Sequence, residues 1–289
     1  MKICRFNENR LGLVEGDVVR DVTEALRVLP SAQYPFPEHD VLIADLEQVR
    51  HAALEIAPRA RSIPLSEVAL LSPVANPGKI VAAPVNYQKH LKEVLGDANL
   101  HHDNQINHIQ RAGLFLKATS SLVGASQGVA LRKLDRRNDH EVELAVVIGK
   151  TAANVSKEDA LKYVAGYCIG LDITIRGPEE RSFRKSPDSY TVLGPWLVTS
   201  DELPDPGNLG FSIAVNGEIR QQSNTSELIL GVPELIEFAS SFYTLHPGDV
   251  IITGTPEGVA SIRPGDSMFA EFDAIGSMRV DVRSSGIGA

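Results

Sequence analysis

Apolar residues in this chain recur mostly at alternate positions or in short continuous runs, the pattern of strands more than of long helices. Near the start, Lys2–Phe6, Leu11–Glu15 and Asp17–Asp21 read as short strands around turns, and Leu42–Leu54 carries a helical rhythm. Pro64, Pro73 and the pair Pro77-Gly78 then interrupt both periods, which predicts a linker and a domain boundary near residue 70. Beyond it, Lys79–Pro84, Gly113–Ala118, Val129–Leu131, Glu141–Ile148, Tyr167–Ile175, Tyr190–Val198, Gly210–Val215, Val250–Thr253, Ser267–Phe272 and Ser277–Val282 read as strands. Ser156-Lys157-Glu158-Asp159 is close to a capping box and predicts a helix running to about Ala165, with Gly166 as its stop. Asn216-Gly217 is a two-residue hairpin signal, because a type I′ turn needs positive φ at both central positions. Pro247–Asp249 and Pro264–Asp266 each launch an apolar strand. The pattern predicts an α+β, β-rich fold: a small mixed N-terminal domain, 1–70, and a larger strand-dominated one, 71–289.

Composition narrows the function classes. The 289 residues carry 28 basic and 37 acidic side chains, a net charge of −9, which argues against a non-specific nucleic-acid binder. No apolar run approaches the roughly 20 residues that span a bilayer, and the apolar character of Met1–Phe6 breaks too early for a signal peptide. Two cysteines, Cys4 and Cys168, make neither a disulfide framework nor a zinc ribbon. These features predict a cytoplasmic globular protein with no nucleic-acid or membrane partner.

The candidate chemistry begins at Glu141-Val142-Glu143. Side chains alternate along a strand, so Glu141 and Glu143 share a face beside a run apolar enough to be buried. Two carboxylates so placed repel each other, and a divalent cation relieves both the repulsion and the cost of desolvation. Asp172 and Arg176 share a face of another apolar strand. Three carboxylates from two strands make an all-oxygen site suited to Mg²⁺, Mn²⁺ or Ca²⁺. The alternative, which spacing alone leaves open, is a solvated sheet face with Asp172 paired to Arg176.

Seven stretches in order resemble the fumarylacetoacetate hydrolase family: Asp139–Lys150 (DHEVELAVVIGK), Tyr163–Arg176, Lys185–Tyr190 (KSPDSY), Leu193–Trp196, Val215–Gln221, Leu245–Val259 (LHPGDVIITGTPEGV) and Arg263–Asp266. Asn86–Glu93 matches the family's N-Y-x-x-H-x-x-E motif as well. The resemblance spans roughly Lys79 to Val282 and implies a roll or barrel-like catalytic domain of mixed sheet. It implies that Glu141, Glu143 and Asp172 hold Mg²⁺ or Mn²⁺, and that Lys185, otherwise a solvated charge after Arg181 and Arg184, points at substrate. It makes His90 and Glu93 a pair acting on a nucleophilic water, carried on a possible lid of residues about 86–112; three apart, the two are neighbours on a helix. Gln221 and the turn Thr253-Gly254-Thr255 match substrate-contacting positions, and Arg176 is either an anion contact or a partner of Asp172. Asp188 reads as structural, and alternation turns His140 away from the two glutamates. The chain departs from the family pattern at Pro84-Val85, Ala118 and Gly177, where glycine, proline and an acid are common. His101, His102 and His108 lie in a segment without a matching motif, read as a polar lid or loop ahead of a second metal site.

The activity so implied is hydrolysis of a carbon–carbon bond in a β-diketone acid, such as an acylpyruvate, fumarylpyruvate or a fumarylacetoacetate-like acid, through an enolate leaving group. The substrate partner is a small 2-oxo or diketo acid, and the resemblance implies a homodimer. Decarboxylation or tautomerisation of an oxaloacetate-type acid, hydrolysis of a diketo-deoxy sugar acid, and non-catalytic binding of 2-oxo acids are the competing readings.

Overall fold

A computed structural model of the chain describes residues 1–97, 100 and 108–286. Its organising element is the strand Val142–Ile148, buried along its whole length and paired antiparallel with Val164–Asp172 on one side and Val250–Ile252 on the other. Val142, Leu144, Val146 and Ile148 face a core shared with Phe211, Ile213, Met268 and Val280 of a second sheet and with Leu235 and Ile236 of the helix Val232–Phe242. Ala145 and Val147 pack on the other face with Ile80, Ala82, Cys168 and Val250. Burial on both faces explains why this stretch reads as continuously apolar instead of alternating. Glu143 has the parity of Ala145 and Val147 and enters on their face.

Among the described residues the main sheet has twelve strands. Its path runs from Ser62–Pro64 through Val18–Asp21, Arg10–Glu15, Lys2–Phe6, Thr191–Thr199, Val164–Asp172, Val142–Ile148, Val250–Ile252 and Ile80–Ala82 to Phe115–Lys117. The N-terminal strands continue it through the pairing of Ile3 with Leu197, while Ile3, Leu11, Val22, Val49 and Ala53 form a separate small core under the helix Leu46–Ile56. A five-stranded sheet contains the hairpin Gly210–Val215/Glu218–Asn224, whose turn residues Asn216 and Gly217 have φ of 52° and 85°, as the type I′ signal requires. A three-stranded sheet joins Thr174–Ile175, Asn138–His140 and Ala260–Ser261. Among the described residues none of these sheets closes, so the roll-like expectation is met by open mixed sheets packed on one another and not by a barrel.

Two expectations change. The helix predicted over Ser156–Ala165 is a single 3-10 turn, Ala160–Tyr163, with no side-chain cap, and a strand begins at Val164. Gly166 sits inside that strand, where a Cβ would run into the carbonyl of Val198; the glycine serves close strand pairing and not a helix stop. Conversely, the sequence expectations contain no counterpart of the helix Val232–Phe242, although Pro233 in its first turn and buried Val232, Leu235, Ile236 and Ala239 carry the helical period.

Candidate active site

Two of the three candidate ligands sit where strands change sheets. Glu141 lies in the gap between Asn138–His140 and Val142–Ile148, and Asp172 ends its strand just before Thr174–Ile175 joins the small sheet. The strands remain registered across this passage: Val142 pairs with Leu171, and the Asp172 N–H donates to the Glu141 carbonyl at 2.9 Å. Glu143, one turn of the pleat further in, completes the group. One oxygen from each of the three carboxylates lies within 4.8 Å of the others, and the residues are only 4%, 2% and 1% exposed.

Buried acids at this spacing need countercharge. Lys185 donates 2.6 Å hydrogen bonds to both Glu141 Oε2 and Asp172 Oδ2. Arg176 bridges Asp139 Oδ2 at 2.7 Å and Glu141 Oε1 at 2.8 Å, which makes it a partner of Glu141 and Asp139 and not, as the alternation suggested, of Asp172. Burial opposes ionisation of Glu141, but Lys185 and Arg176 outweigh it and hold its carboxyl well below the ordinary range. Glu143 has no cation in contact among the described residues; its side chain accepts the Gly254 N–H. Burial and the neighbouring Asp172 push its carboxyl well above the ordinary range. A third buried carboxylate without countercharge is the feature a divalent cation would relieve, and three carboxylate oxygens suit a hard ion. The donor set fits Mg²⁺ or Mn²⁺.

His90 and Glu93 share one face of the helix Gln88–Gly96. His90 Nδ1 lies 2.7 Å from Glu93 Oε2, and the other Glu93 oxygen accepts the Gly258 N–H at 3.0 Å. A carboxylate only accepts, so Nδ1 carries the proton and Nε2 is left as the basic nitrogen. The helix start is tied to the same loop: Asn86 Nδ2 donates to the Thr253 and Leu230 carbonyls, both at 2.8 Å. Val85, at the departure from the family's glycine, has φ of 43°, a left-handed conformation that β-branched residues disfavour. At the second departure the Ala118 N–H donates to Ser186 Oγ at 2.9 Å, a bond that a proline would remove.

Of the predicted residues, His90, Glu141, Glu143, Arg176, Lys185 and Thr255 line one cavity, together with Val85, Phe115, Arg181 and Arg184. Gln221 stands behind this wall. Its Nε2 donates to Thr255 Oγ1 at 2.8 Å and to the Pro256 carbonyl at 2.9 Å, while Oε1 faces the Val142 N–H at 3.2 Å and His140 Nδ1 at 3.1 Å. With its whole amide engaged, Gln221 clamps the 253–258 loop. Burial lowers the basicity of His140, which therefore meets Gln221 as a neutral Nδ1–H donor. Gly254 and Gly258 both have positive φ, and a Cβ on Gly254 would lie 2.7 Å from that of Asn86. Asp188 is exposed and pairs with Arg132 at 2.8 Å. His108 is exposed, and His101 and His102 lie outside the described residues.

Sequence reasoning missed Lys117. Its ammonium is fully buried and donates to Asp172 Oδ1 and to the Tyr190 carbonyl, the latter at 2.9 Å. Burial pushes its pKa down while Asp172 pushes it back. The signal was a lysine with the same parity as Phe115 in a short apolar strand, an inward charge that demands a partner.

Residues 79–283 match the family model described as Fumarylacetoacetate (FAA) hydrolase C-terminal. The maleylpyruvate hydrolase of Aquipseudomonas alcaligenes is 65% identical over 286 residues, covering 98% of this chain and 100% of that protein. The mitochondrial oxaloacetate tautomerase Fahd2a of Rattus norvegicus is 36% identical over 241 residues, 78% of this chain and 74% of that one. The crystal structure of maleylpyruvate hydrolase from Sphingobium sp. SYK-6 in complex with manganese (II) ion and pyruvate superposes with a TM-score of 0.83, at 41% identity, over 98% of this chain and 99% of that chain. Matched from Lys79 to Arg283 by that family model, and over nearly its whole length by the Aquipseudomonas enzyme, the chain belongs to the fumarylacetoacetate hydrolase family.

Proposed function

We propose that this protein is a divalent-metal-dependent hydrolase that cleaves an acylpyruvate, of the maleylpyruvate type, into pyruvate and the acid of its acyl arm. The observation that carries the reading is that His90, fixed by Glu93, lines the same cavity as Glu141 and Glu143, the two carboxylates clustered with Asp172. A base beside the acid cluster is what water addition requires. Two relatives named for maleylpyruvate hydrolysis, one crystallised with manganese and pyruvate, support it.

His90 Nε2 takes a proton from water as the oxygen adds to the acyl carbonyl. The bond between that carbonyl carbon and C3 of the pyruvate unit then breaks, its electron pair leaving on the pyruvate enolate. A proton returned to C3 completes pyruvate, and the acyl arm departs as a carboxylic acid. A divalent ion held by Glu141, Glu143 and Asp172 supplies positive charge where negative charge grows on the 2-oxo acid end. Lys185, anchored on Glu141 and Asp172, adds a fixed ammonium at that end, and Arg176 keeps Glu141 ionised and oriented. Thr255, at the end of the Thr253–Thr255 turn, lines the cavity and contacts substrate, while Gln221 acts from behind it. The same reading takes the enzyme as a cytoplasmic homodimer, to be checked by sedimentation.

The test is turnover. With Mn²⁺ or Mg²⁺ present, maleylpyruvate should be consumed with stoichiometric release of pyruvate. Conversion of oxaloacetate without cleavage of any acylpyruvate would overturn the proposal in favour of tautomerase or decarboxylase chemistry.

A further inference from the structure

Four cations line the wall of the cavity: Arg176, Arg181, Arg184 and Lys185. Three are committed. Arg176 is held by Asp139 and Glu141, and Lys185 by Glu141 and Asp172. Arg184 donates to the Glu179 carbonyl at 2.8 Å and the Ile175 carbonyl at 3.0 Å. Arg181 alone among these has no hydrogen bond and no ion pair among the described residues. The adjacent acid, Glu180, does not neutralise it; that side chain caps the helix, accepting the Ser182 N–H at 2.7 Å.

Arg181 is partly buried, with its Cζ 5.3 Å from the centre of the Phe115 ring, and Lys185 Nζ lies 5.5 Å from the same centre. The two cations are four residues apart on the helix Arg181–Lys185 and so share its face. Burial pushes the Arg181 pKa below the ordinary range, against the pull of Glu180, Glu141 and Asp172. A guanidinium carries five donors in a fork matched to a carboxylate. One removed from much of its water without gaining an acceptor is a group whose partner arrives with the ligand.

In the proposed reaction the 2-oxo acid end of the substrate lies at the carboxylate cluster and Lys185, and the acyl arm extends away from it. We propose that Arg181 receives a carboxylate at the far end of that arm, and thereby makes the enzyme selective for acylpyruvates whose acyl group is itself an acid over those with a neutral arm. This specificity assignment rests on the hydrolase reading.

The experiment compares wild type, Arg181→Met and Arg181→Lys, each loaded with Mn²⁺, on maleylpyruvate and on acetylpyruvate, whose arm is neutral. Losing a charge-assisted contact should raise KM for maleylpyruvate in Arg181→Met by about 10- to 100-fold with kcat little changed. Acetylpyruvate kcat/KM should stay within about threefold, and Arg181→Lys should fall between. Equal losses on both substrates, or none on the diacid, overturn the assignment. If wild type cleaves neither compound, the hydrolase reading fails instead. The Arg181 assignment is then read from equilibrium binding to the Mn²⁺-loaded protein: Arg181→Met should weaken 2-oxoglutarate by at least about tenfold and spare pyruvate, and parallel changes in the two overturn it.

Discussion

Replacing Glu93 by Gln tests the proposed base through a single hydrogen. In the native pair, Glu93 Oε2 meets His90 Nδ1 at 2.7 Å and Oε1 accepts the Gly258 N–H at 3.0 Å, so both partners of the carboxylate are donors. An amide has only one oxygen. Turned to accept from Gly258, it presents its NH₂ to His90, which must then carry its proton on Nε2 and cease to be a base on the cavity side. Turned to accept from His90, it sets NH₂ against the Gly258 N–H, an unpaired donor worth about 1–3 kcal/mol, or about 5- to 150-fold in the population of the competent form. The carboxylate's support of the imidazolium is lost in either case, so kcat should fall by about 10²- to 10⁴-fold. Pyruvate release under saturating Mn²⁺ measures the rate, and calorimetric titration measures the ion. Because Glu93 touches none of the three ligand carboxylates, Mn²⁺ affinity should stay within about threefold. A kcat close to wild type, or a rate loss matched by an equal loss of Mn²⁺ affinity, would refute the tautomer argument.

Four further outcomes follow from the same geometry. Glu143→Gln removes a ligand, and Mn²⁺ affinity measured by calorimetry should drop by more than the about 10- to 100-fold seen when an outer partner of a ligand is lost, with activity falling alongside. Lys117→Met removes a buried ammonium from Asp172 and should cost about 3–5 kcal/mol in urea unfolding of the metal-free protein; an unchanged midpoint would show that Lys185 alone suffices for Asp172. Gly258→Ala meets both a φ of 92° and the Arg220 carbonyl, so stability should fall by about 1–3 kcal/mol and kcat with it, as the N–H holding Glu93 shifts. Burial pushes the thiols of Cys4 and Cys168 up to about 12 from an ordinary 9.0. Since the unfolded chain ionises first, their contribution is intact below pH 9 and is lost toward pH 12, by at most about 1.4 kcal/mol per pH unit for each thiol; urea unfolding at stepped pH should show a slope that Cys168→Ala reduces.

The parts of this site legible in the sequence were those whose chemistry conflicts with their local pattern. Glu141 and Glu143 stood out because carboxylates opened a run apolar enough for the middle of a sheet, and strand parity placed them on one face. Asp172 stood out in the same way. For Arg176 the sequence leaves an anion contact and a pairing with Asp172 both open, because parity along one strand cannot show that the chain leaves the sheet after Asp172 and that residue 176 then lies over Asp139 and Glu141. Lys117 comes from the far edge of the sheet, 55 residues from Asp172 in sequence, and no local period connects them. The false helix at Ser156–Ala165 has a related cause: a capping signal worth about 1 kcal/mol was set against pairing of Val164–Asp172 with strands on both sides.

The loop at 253–258 explains how these distant pieces act together. Its Gly254 N–H is held by Glu143, its Gly258 N–H holds Glu93, and its Thr253 carbonyl anchors Asn86 at the start of the helix that carries His90. Behind it, Gln221 ties Thr255 and Pro256 to Val142 and His140, neighbours of the two glutamates. The acid cluster and the base are therefore positioned by one short segment, and a displacement of that segment moves both. A substitution in the clamp that touches neither acid nor base, such as Gln221→Ala, removes the two hydrogen bonds that hold the loop and the two that tie it to Val142 and His140, and should lower Mn²⁺ affinity and kcat together. Glu93→Gln should separate the same two quantities, which makes the pair of variants a test of whether the loop is the common support.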